Sequence, residues 1–139
     1  MKAAIEKLGN DYSAEMWFWN EMPHGAQPVT GYFFSRGPDG DKKAPGEHLG
    51  IGGTHLATGK LIVFNGNTRN EVIEGTTYLP LRSWNHVVLT RKAKRVRVFL
   101  NGNIEPEMDA DLSPTIGKNR SIFIGGRNDR FAPFKGRVD

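Results

Sequence analysis

The stretch from Trp84 to Gly102, WNHVVLTRKAKRVRVFLNG, limits the possible folds more than any other part of the chain. Side chains on a β-strand alternate between two faces, so residues two apart share an environment. In the second half of the stretch, Val96, Val98 and Leu100 share one face and the alternate residues share the other. The period of two and the density of β-branched residues exclude a helix. The stretch therefore predicts a β-hairpin with one buried face.

The first strand of this hairpin, residues 84–91, differs from the second, because it carries apolar residues on both faces. We therefore expect it to be covered on both sides, at least in part. Residues 92–94 are short enough for the hairpin turn. Asn101-Gly102 predicts the next turn, since both residues tolerate positive φ.

Alternating apolar runs, separated by turn residues, predict further strands along the chain. We expect strands over residues 12–20, 31–36, 47–53, 60–64, 71–79, 84–91, 94–101, 121–126 and 134–139, with brief pairing over 104–108. Residues 1–10 are expected to form a helical turn that ends at Gly9, with Ile5 and Leu8 packed inward. Seventeen glycines and eight prolines in 139 residues favour a single all-β domain rich in turns.

Three motifs resemble those of laminin G-like, concanavalin A-like lectin/glucanase domains. They are DYSAEMWFW at 11–19, WNHVVLT followed by RVRVFLNG at 84–102, and IFIGG followed by FKGRVD at 122–139. The resemblance implies an all-β, two-sheet antiparallel jelly-roll sandwich formed by residues 1–139. It also implies that the chain lacks the family's first strand and part of its last strand, and that it is excised from a larger protein.

Several classes of protein are excluded by what the sequence lacks. It has no cysteine for disulfides or thiolate metal sites, and no apolar run of about 20 residues that could span a membrane. The first ten residues, MKAAIEKLGN, lack the apolar region that is typical of a signal peptide. The sequence also has no nucleophile elbow, HExxH motif or P-loop. The histidines show no metal-ligand spacing; they are His24, His48, His55 and His86.

Three alternate carboxylates, Glu107, Asp109 and Asp111, resemble the catalytic strand of laminarinase-like glycosidases. A retaining pair of carboxyl groups lies about 5–5.5 Å apart in such enzymes. Here the last residue is Asp rather than Glu, and Pro106 interrupts the segment. We therefore favour a solvated acidic edge strand over an active site.

Calcium is the one cofactor that the resemblance implies, held by carboxylate and backbone oxygens. Asp139 stands at the position of the family's closing Asp. Asp39 and Asp41 flank Gly40 and offer a second candidate site. Ordinary Asp-Gly turn chemistry is the alternative for that loop.

Aromatic and cationic side chains are the candidates for ligand binding. The resemblance implies that Trp17 and Trp84 are structural, whereas Trp19 departs from the family pattern. The candidate ligand-binding residues are Trp19, Arg36, Tyr78, Arg97, Phe99 and Arg127. Basic residues also cluster on the central hairpin, which suggests an anionic polysaccharide, with a solvated turn as the alternative; they are Arg91, Lys92, Lys94, Arg95 and Arg97.

We therefore expect a non-catalytic, lectin-like carbohydrate-binding module of a secreted or surface bacterial protein. A protein-interaction or adhesion module, contacting other protein domains, is the first alternative. A divergent glycoside hydrolase is the second. Nucleic acid is not an expected partner, because basic residues do not interleave with a stacking platform.

Overall fold

The computed structural model describes residues 1–4, 9–42, 46–66, 71–114 and 121–139. Within these ranges the chain forms eleven strands. They are β1 (Lys2–Ala4), β2 (Tyr12–Asn20), β3 (Val29–Gly37), β4 (Gly46–Gly52), β5 (Leu61–Gly66), β6 (Glu71–Glu74), β7 (Trp84–Lys92), β8 (Arg95–Leu100), β9 (Met108–Asp111), β10 (Ser121–Ile124) and β11 (Gly136–Val138). These ranges contain no helix that is both long and apolar enough to cross a membrane.

The strands form two antiparallel sheets. A six-stranded sheet, here called the β3 sheet, has the order β1-β10-β3-β4-β5-β6. A five-stranded sheet, here called the β2 sheet, has the order β11-β2-β7-β8-β9. Their inner faces pack together around one main hydrophobic cluster. The predicted all-β, two-sheet antiparallel jelly-roll sandwich is confirmed.

The central hairpin lies in the β2 sheet, where β7 and β8 pair from Val87↔Leu100 to Lys92↔Arg95. Its turn contains Ala93 at a φ of 50°. The buried side is aliphatic, as the alternation predicts, and each such side chain stabilises the fold by about 1.5–3 kcal/mol; it consists of Val87, Leu89, Val96, Val98 and Leu100. On the other side of β7 the side chains are exposed or partly exposed, so that strand is only partly covered on its second face.

Three local predictions differ from the structure. Lys2–Ala4 form a strand that pairs with β10 rather than a helical turn, because the edge of β10 offers backbone partners; Ile5 and Leu8 lie outside the described residues. Strand β6 ends at Glu74: Gly75 N–H still donates to Leu61 O of β5, but the next two amides, those of Thr76 and Thr77, donate to the Glu107 carboxylate. The expected pairing over 104–108 starts later, because Pro106 has no N–H to donate.

A charged network links the two sheets through the core. Glu47 of β4 accepts hydrogen bonds from Arg91 Nη1 at 2.8 Å and from Tyr12 Oη at 2.5 Å. Arg36 lies 4.0 Å from the same carboxylate and 4.7 Å from the centroid of the Tyr12 ring. Burial, and then the Glu47 carboxylate, raise the pKa of Tyr12 well above its ordinary value. The predicted ligand contact at Arg36 is wrong, because its side chain is fully buried in this network.

The outer face of the β3 sheet is covered by two segments, residues 53–60 and 125–135. Every residue of β3 is buried. A small second hydrophobic cluster forms beneath the cover; it contains Val29, Tyr32, Ile62, Leu56, Ala57, Phe64 and Ala132. Gly31 permits the backbone of Phe134 to lie close to β3, since a Cβ there would lie 2.9 Å from Phe134 Cα, while the Phe134 ring itself packs on the main core. We call this surface the covered face.

Arg127 holds the covering segment against the β3 sheet through contacts with aromatic rings and an ion pair. Its guanidinium carbon lies 5.5 Å from the centroid of the Tyr32 ring and 4.9 Å from that of Phe131. It also makes a bidentate ion pair with Asp129. Its side chain is only 10% exposed. The predicted ligand contact at Arg127 is therefore not supported, because the guanidinium is already engaged on all of these partners.

Candidate functional site

The outer face of the β2 sheet, here called the open face, carries the outward side chains of five strands. The strand register places them in rows about 6.8 Å apart along the strands. From one end to the other, the rows are Arg137–Trp19–Trp84, Asp139–Trp17–His86, Glu15–Val88–Phe99, Ser13–Thr90–Arg97–Asp109 and Lys92–Arg95–Asp111. The first two rows are the aromatic end of the face. The last two rows are its charged end.

Two tryptophans dominate the aromatic end. Trp17 is 48% exposed and Trp84 is 44% exposed. Trp17 contacts the ring of His86, with centroids 4.8 Å apart, and Trp84 meets the edge of Trp19 at 5.8 Å. Arg137 lies 5.9 Å from the centroid of Trp19 and shields part of it. The end therefore offers two half-exposed indole rings supported by two further side chains.

The alternation of β2 explains why tryptophans point outward. Met16 and Phe18 fill the core, at 6% and 0% exposure, so the residues beside them point to the outer face of the sheet. The resemblance implies that Trp17 and Trp84 are structural; each packs on a neighbouring ring and is also about half exposed, which leaves part of each ring available at the surface. Trp19, which was expected to contact a ligand because it departs from the family pattern, is the most buried of the three tryptophans.

Polar groups surround these rings. Trp17 and Trp84 line a shallow depression of about 330 Å³ together with Asp139. The depression lies beside His86, whose Nε2 is 2.8 Å from Glu15 Oε1. Apolar ring faces next to carboxylate and imidazole groups can bind a ligand that has both apolar and hydroxylated surfaces.

Sequence reasoning did not identify Glu15 or His86 as part of this site, although the signal was present. Glu15 has the same strand parity as Trp17, and His86 the same as Trp84. What the sequence lacks is the pairing of Trp17 with His86 across β2 and β7. That register brings the polar groups beside the indole rings.

The charged end is held by ion pairs. Asp109 Oδ1 lies 2.5 Å from Arg95 Nε and 3.3 Å from Arg97 Nε, and Asp111 lies 3.4 Å from Arg95 Nη1. The hydrogen bond from Arg95 lowers the pKa of Asp109. The basic cluster predicted on the hairpin is thus divided, because Arg91 is buried against Glu47 while Arg95 and Arg97 stay on the surface.

Each of the three carboxylates of the glycosidase-like motif has a structural partner, and Asp109 and Asp111 share Arg95. Glu107 accepts hydrogen bonds from Thr76 N–H and Thr77 N–H, each at 2.6 Å. Burial raises the pKa of Glu107, but these bonds outweigh it and lower the pKa below its ordinary value. Because Asp109 also has a lowered pKa, neither residue resembles the protonated acid that glycoside hydrolysis requires.

The candidate calcium ligands are dispersed. Asp39 pairs with Lys2 Nζ at 2.5 Å, and Asp41 O accepts a hydrogen bond from Asn128. Asp139 lies on the open face beside Trp17. Within the described ranges, no three side chains of His, Cys, Asp or Glu gather into a metal site. Calcium therefore stays a prediction.

The remaining candidate ligand residues separate into two places. Phe99 and Arg97 lie on the open face with Trp19. Tyr78 is 60% exposed, but it lies on the segment between β6 and β7 and packs on His24 at 5.1 Å. Three of the six predicted residues therefore share the open face, with Trp19 at its aromatic end and Arg97 at its charged end.

These features define a two-sheet antiparallel sandwich with one open aromatic face. The chain belongs to the concanavalin A-like lectin/glucanases superfamily, whose family profile matches residues 2–139. A search of curated proteins by sequence finds no match.

Solved structures with the same fold include domains attached to glycan-processing enzymes. Domain 4 of AbnA, a GH43 extracellular arabinanase from Geobacillus stearothermophilus, in complex with arabinotriose, is 21% identical, with a TM-score of 0.64 over 94% of this chain and 58% of that chain. The CBM40 of Ruminococcus gnavus IT-sialidase is 17% identical, with a TM-score of 0.62 over 100% of this chain and 90% of that one. Carbohydrate-binding module CBM66 from Bacillus subtilis is 17% identical, with a TM-score of 0.56 over 94% and 76%. At these identities the likeness shows the shared fold.

Proposed function

We propose that this chain is a non-catalytic carbohydrate-binding module and that the aromatic end of its open face is the main contact. The observation that carries the proposal is the half exposure of Trp17 and Trp84 beside the same depression. Sugar rings present apolar C–H faces and a rim of hydroxyls. Indole rings suit the first, and carboxylates suit the second by accepting hydrogen bonds from hydroxyls.

The mixed chemistry of the open face favours a glycan over a protein partner. A protein-docking surface has an apolar centre depleted of charged residues. Here the carboxylates of Asp139 and Glu15 and the guanidinium of Arg137 stand in the same rows as the aromatic rings or in the next row. Such interleaving leaves hydrogen-bonding groups within reach of each ring face.

The similar structures support the proposal through their own ligands. One was solved with arabinotriose, and a CBM40 of the same fold was solved with sialyllactose. One belongs to an extracellular arabinanase. We accordingly propose that this chain acts as part of a larger secreted or surface bacterial protein and brings that protein to its glycan.

The test is a glycan array followed by calorimetry on the hits, with the wild type and the Trp17→Ala/Trp84→Ala double variant. The matched control is Phe131→Ala, because Phe131 is 49% exposed but lies on the covered face. We expect the double variant to lose binding and the control to retain it. Each protein is assayed with calcium and with EDTA, so that the calcium prediction is tested separately.

The proposal fails if the wild type binds no glycan, or if the double variant binds as well as the wild type. Circular dichroism and thermal melts of all three proteins show whether a loss of binding reflects a loss of fold. A wild type that releases reducing sugar from a bound glycan would instead support the glycoside hydrolase alternative.

A further inference from the structure

Resting on the proposed function, we propose that the charged end of the open face binds a sugar carboxylate. The aromatic end and the charged end would then contact different units of one acidic oligosaccharide. The ligand class is a glycan that bears uronic or sialic acid.

The charged end has a depression of its own, of about 500 Å³, larger than the one beside the tryptophans. Hydrogen-bond donors on its rim come from three strands; they are Ser13, Thr90, Lys92, Arg95 and Arg97. Ser13, Thr90 and Arg97 stand side by side in one row of the sheet. Hydroxyl, ammonium and guanidinium donors around one hollow complement a carboxylate.

The arginines remain available although each has an aspartate partner. Their side chains are 47% and 52% exposed for Arg95 and Arg97, respectively. Among the described residues, Arg97 contacts Asp109 through Nε, which leaves its two terminal nitrogens unengaged. Asp109 therefore orients the guanidinium group of Arg97 and leaves its two terminal nitrogens, the atoms that a sugar carboxylate would approach, accessible.

Charge differs between the two ends. Around the tryptophans the exposed groups nearest Trp17 are carboxylates, those of Glu15 and Asp139. The lining of the second depression contains the exposed cations Lys92, Arg95 and Arg97 and one exposed carboxylate, Asp11, while the two aspartates of β9 pair with Arg95 and Arg97. An acidic group would be repelled at the first end and attracted at the second, which sets the direction in which the glycan lies.

The distance between the ends decides the size of the ligand. The rows of Trp17 and Arg97 are two apart, which corresponds to about 13–14 Å along the strands. A single sugar unit cannot cover both. The site therefore requires an oligosaccharide whose acidic unit is separated from the unit on Trp17.

The experiment compares two pairs of probes that differ in a carboxylate. One pair is oligogalacturonate and its carboxyl-reduced counterpart, and the other is α2,3-sialyllactose and lactose. Affinities are measured at low and high salt for the wild type, Arg97→Gln, Arg95→Gln/Arg97→Gln and the control Arg130→Gln. Arg130 is an exposed arginine in the segment that forms the cover.

We expect the wild type to bind the acidic member of at least one pair about five- to tenfold more tightly at low salt, with the preference shrinking as salt screens it. Arg97→Gln should reduce that preference and the double variant should abolish it, with neutral-glycan binding unchanged. The control should keep the full preference.

Equal affinity within both pairs overturns the proposal, as does failure of the wild type to bind either acidic probe. A preference that survives the double variant also overturns it. These outcomes are separate from failure of the proposed function, which is read from neutral glycans on the array and from the tryptophan variants.

Discussion

The covered face and the open face belong to sheets with the same alternating pattern, yet they differ in what lies on them. On the β3 sheet the outward Tyr32 is 1% exposed beneath the segment that carries Arg127. On the β2 sheet the outward Trp17 is 48% exposed. The covered face contributes to a second hydrophobic cluster, whereas the open face has aromatic residues at the surface.

The comparison separates aromatic residues that stabilise the fold from those available for binding. Burying an aromatic ring on either face would stabilise the protein, so leaving Trp17 and Trp84 uncovered forgoes part of that stabilisation. Residues 53–60 and 125–135 supply the cover on one side only. Variants of matched side chains on the two faces can therefore test the division directly.

The largest effect should come from Tyr32→Ala on the covered face. Removing a ring that is 1% exposed leaves a cavity under the cover and should lower the free energy of unfolding by about 3–5 kcal/mol. Urea titration measures the loss. Glycan affinity of the folded fraction should not change, and a change would show that the two faces are coupled.

Trp17→Ala should have the opposite profile. Because the ring is half exposed, unfolding free energy should change by less than about 1 kcal/mol. Glycan affinity should fall by about 2 kcal/mol, or roughly 30-fold. Calorimetry and urea titration on the same preparation measure both quantities. A large stability loss with intact binding would reverse the assignment of the faces.

The next effect compares two Arg–Asp pairs. Asp129 is 5% exposed and lies beside Arg127 on the covered face. Asp129→Asn should lower the free energy of unfolding by about 1 kcal/mol, a value that allows for solvent screening of the ion pair. Asp109→Asn on the open face should leave the unfolding free energy nearly unchanged, because Asp109 is more exposed. Equal losses would mean that the cover does not shield its ion pair.

The lowered pKa of Asp129 also predicts the direction in which stability changes with pH. Burial raises its pKa, but hydrogen bonds from Arg127 and from Phe131 N–H outweigh this and lower it. A lowered folded-state pKa contributes stability that is present above the unfolded value near 4 and is lost as pH falls through the folded value. Asp129→Asn should therefore flatten the acid limb of a thermal-melt series, and an unchanged limb would contradict the assignment.

The last predicted effect is that of Trp19→Ala on glycan affinity. Its ring makes an edge-type contact with Trp84 and lies beneath Arg137, so it positions Trp84 more than it meets a ligand. We expect an affinity loss of about 1 kcal/mol, smaller than that of Trp17→Ala. A larger loss than Trp17→Ala, measured on the same glycan, would return Trp19 to the centre of the site.

Much of this contrast could be predicted from local sequence. Alternation in residues 12–20 and 84–100 identified the strands of the β2 sheet and the inward positions of the hairpin. The same parity places Arg91 with Val87 and Leu89, which is why it lies inside while Arg95 lies outside. Local chemistry failed where a partner far along the chain intervened, as at residues 76–77, whose amides donate to Glu107.

The candidate site was less predictable than the fold. Arg36 and Arg127 were expected to contact a ligand. Arg36 instead joins the charged network between the sheets, and Arg127 packs on the Tyr32 ring beneath the covering segment. Trp17 looked structural because it matches a position of the family motif. Alternation along a strand sets the side to which Trp17 points, but the exposure of all three side chains depends on which segments pack on each sheet.

By itself, the sequence determined that this chain is built from antiparallel strands with defined inward and outward sides, because period-two patterning is a local property of the backbone. Only the tertiary structure decided which outward side would meet solvent. That choice follows from two distant segments folding over the β3 sheet and leaving the β2 sheet bare, which no local pattern of apolar residues encodes.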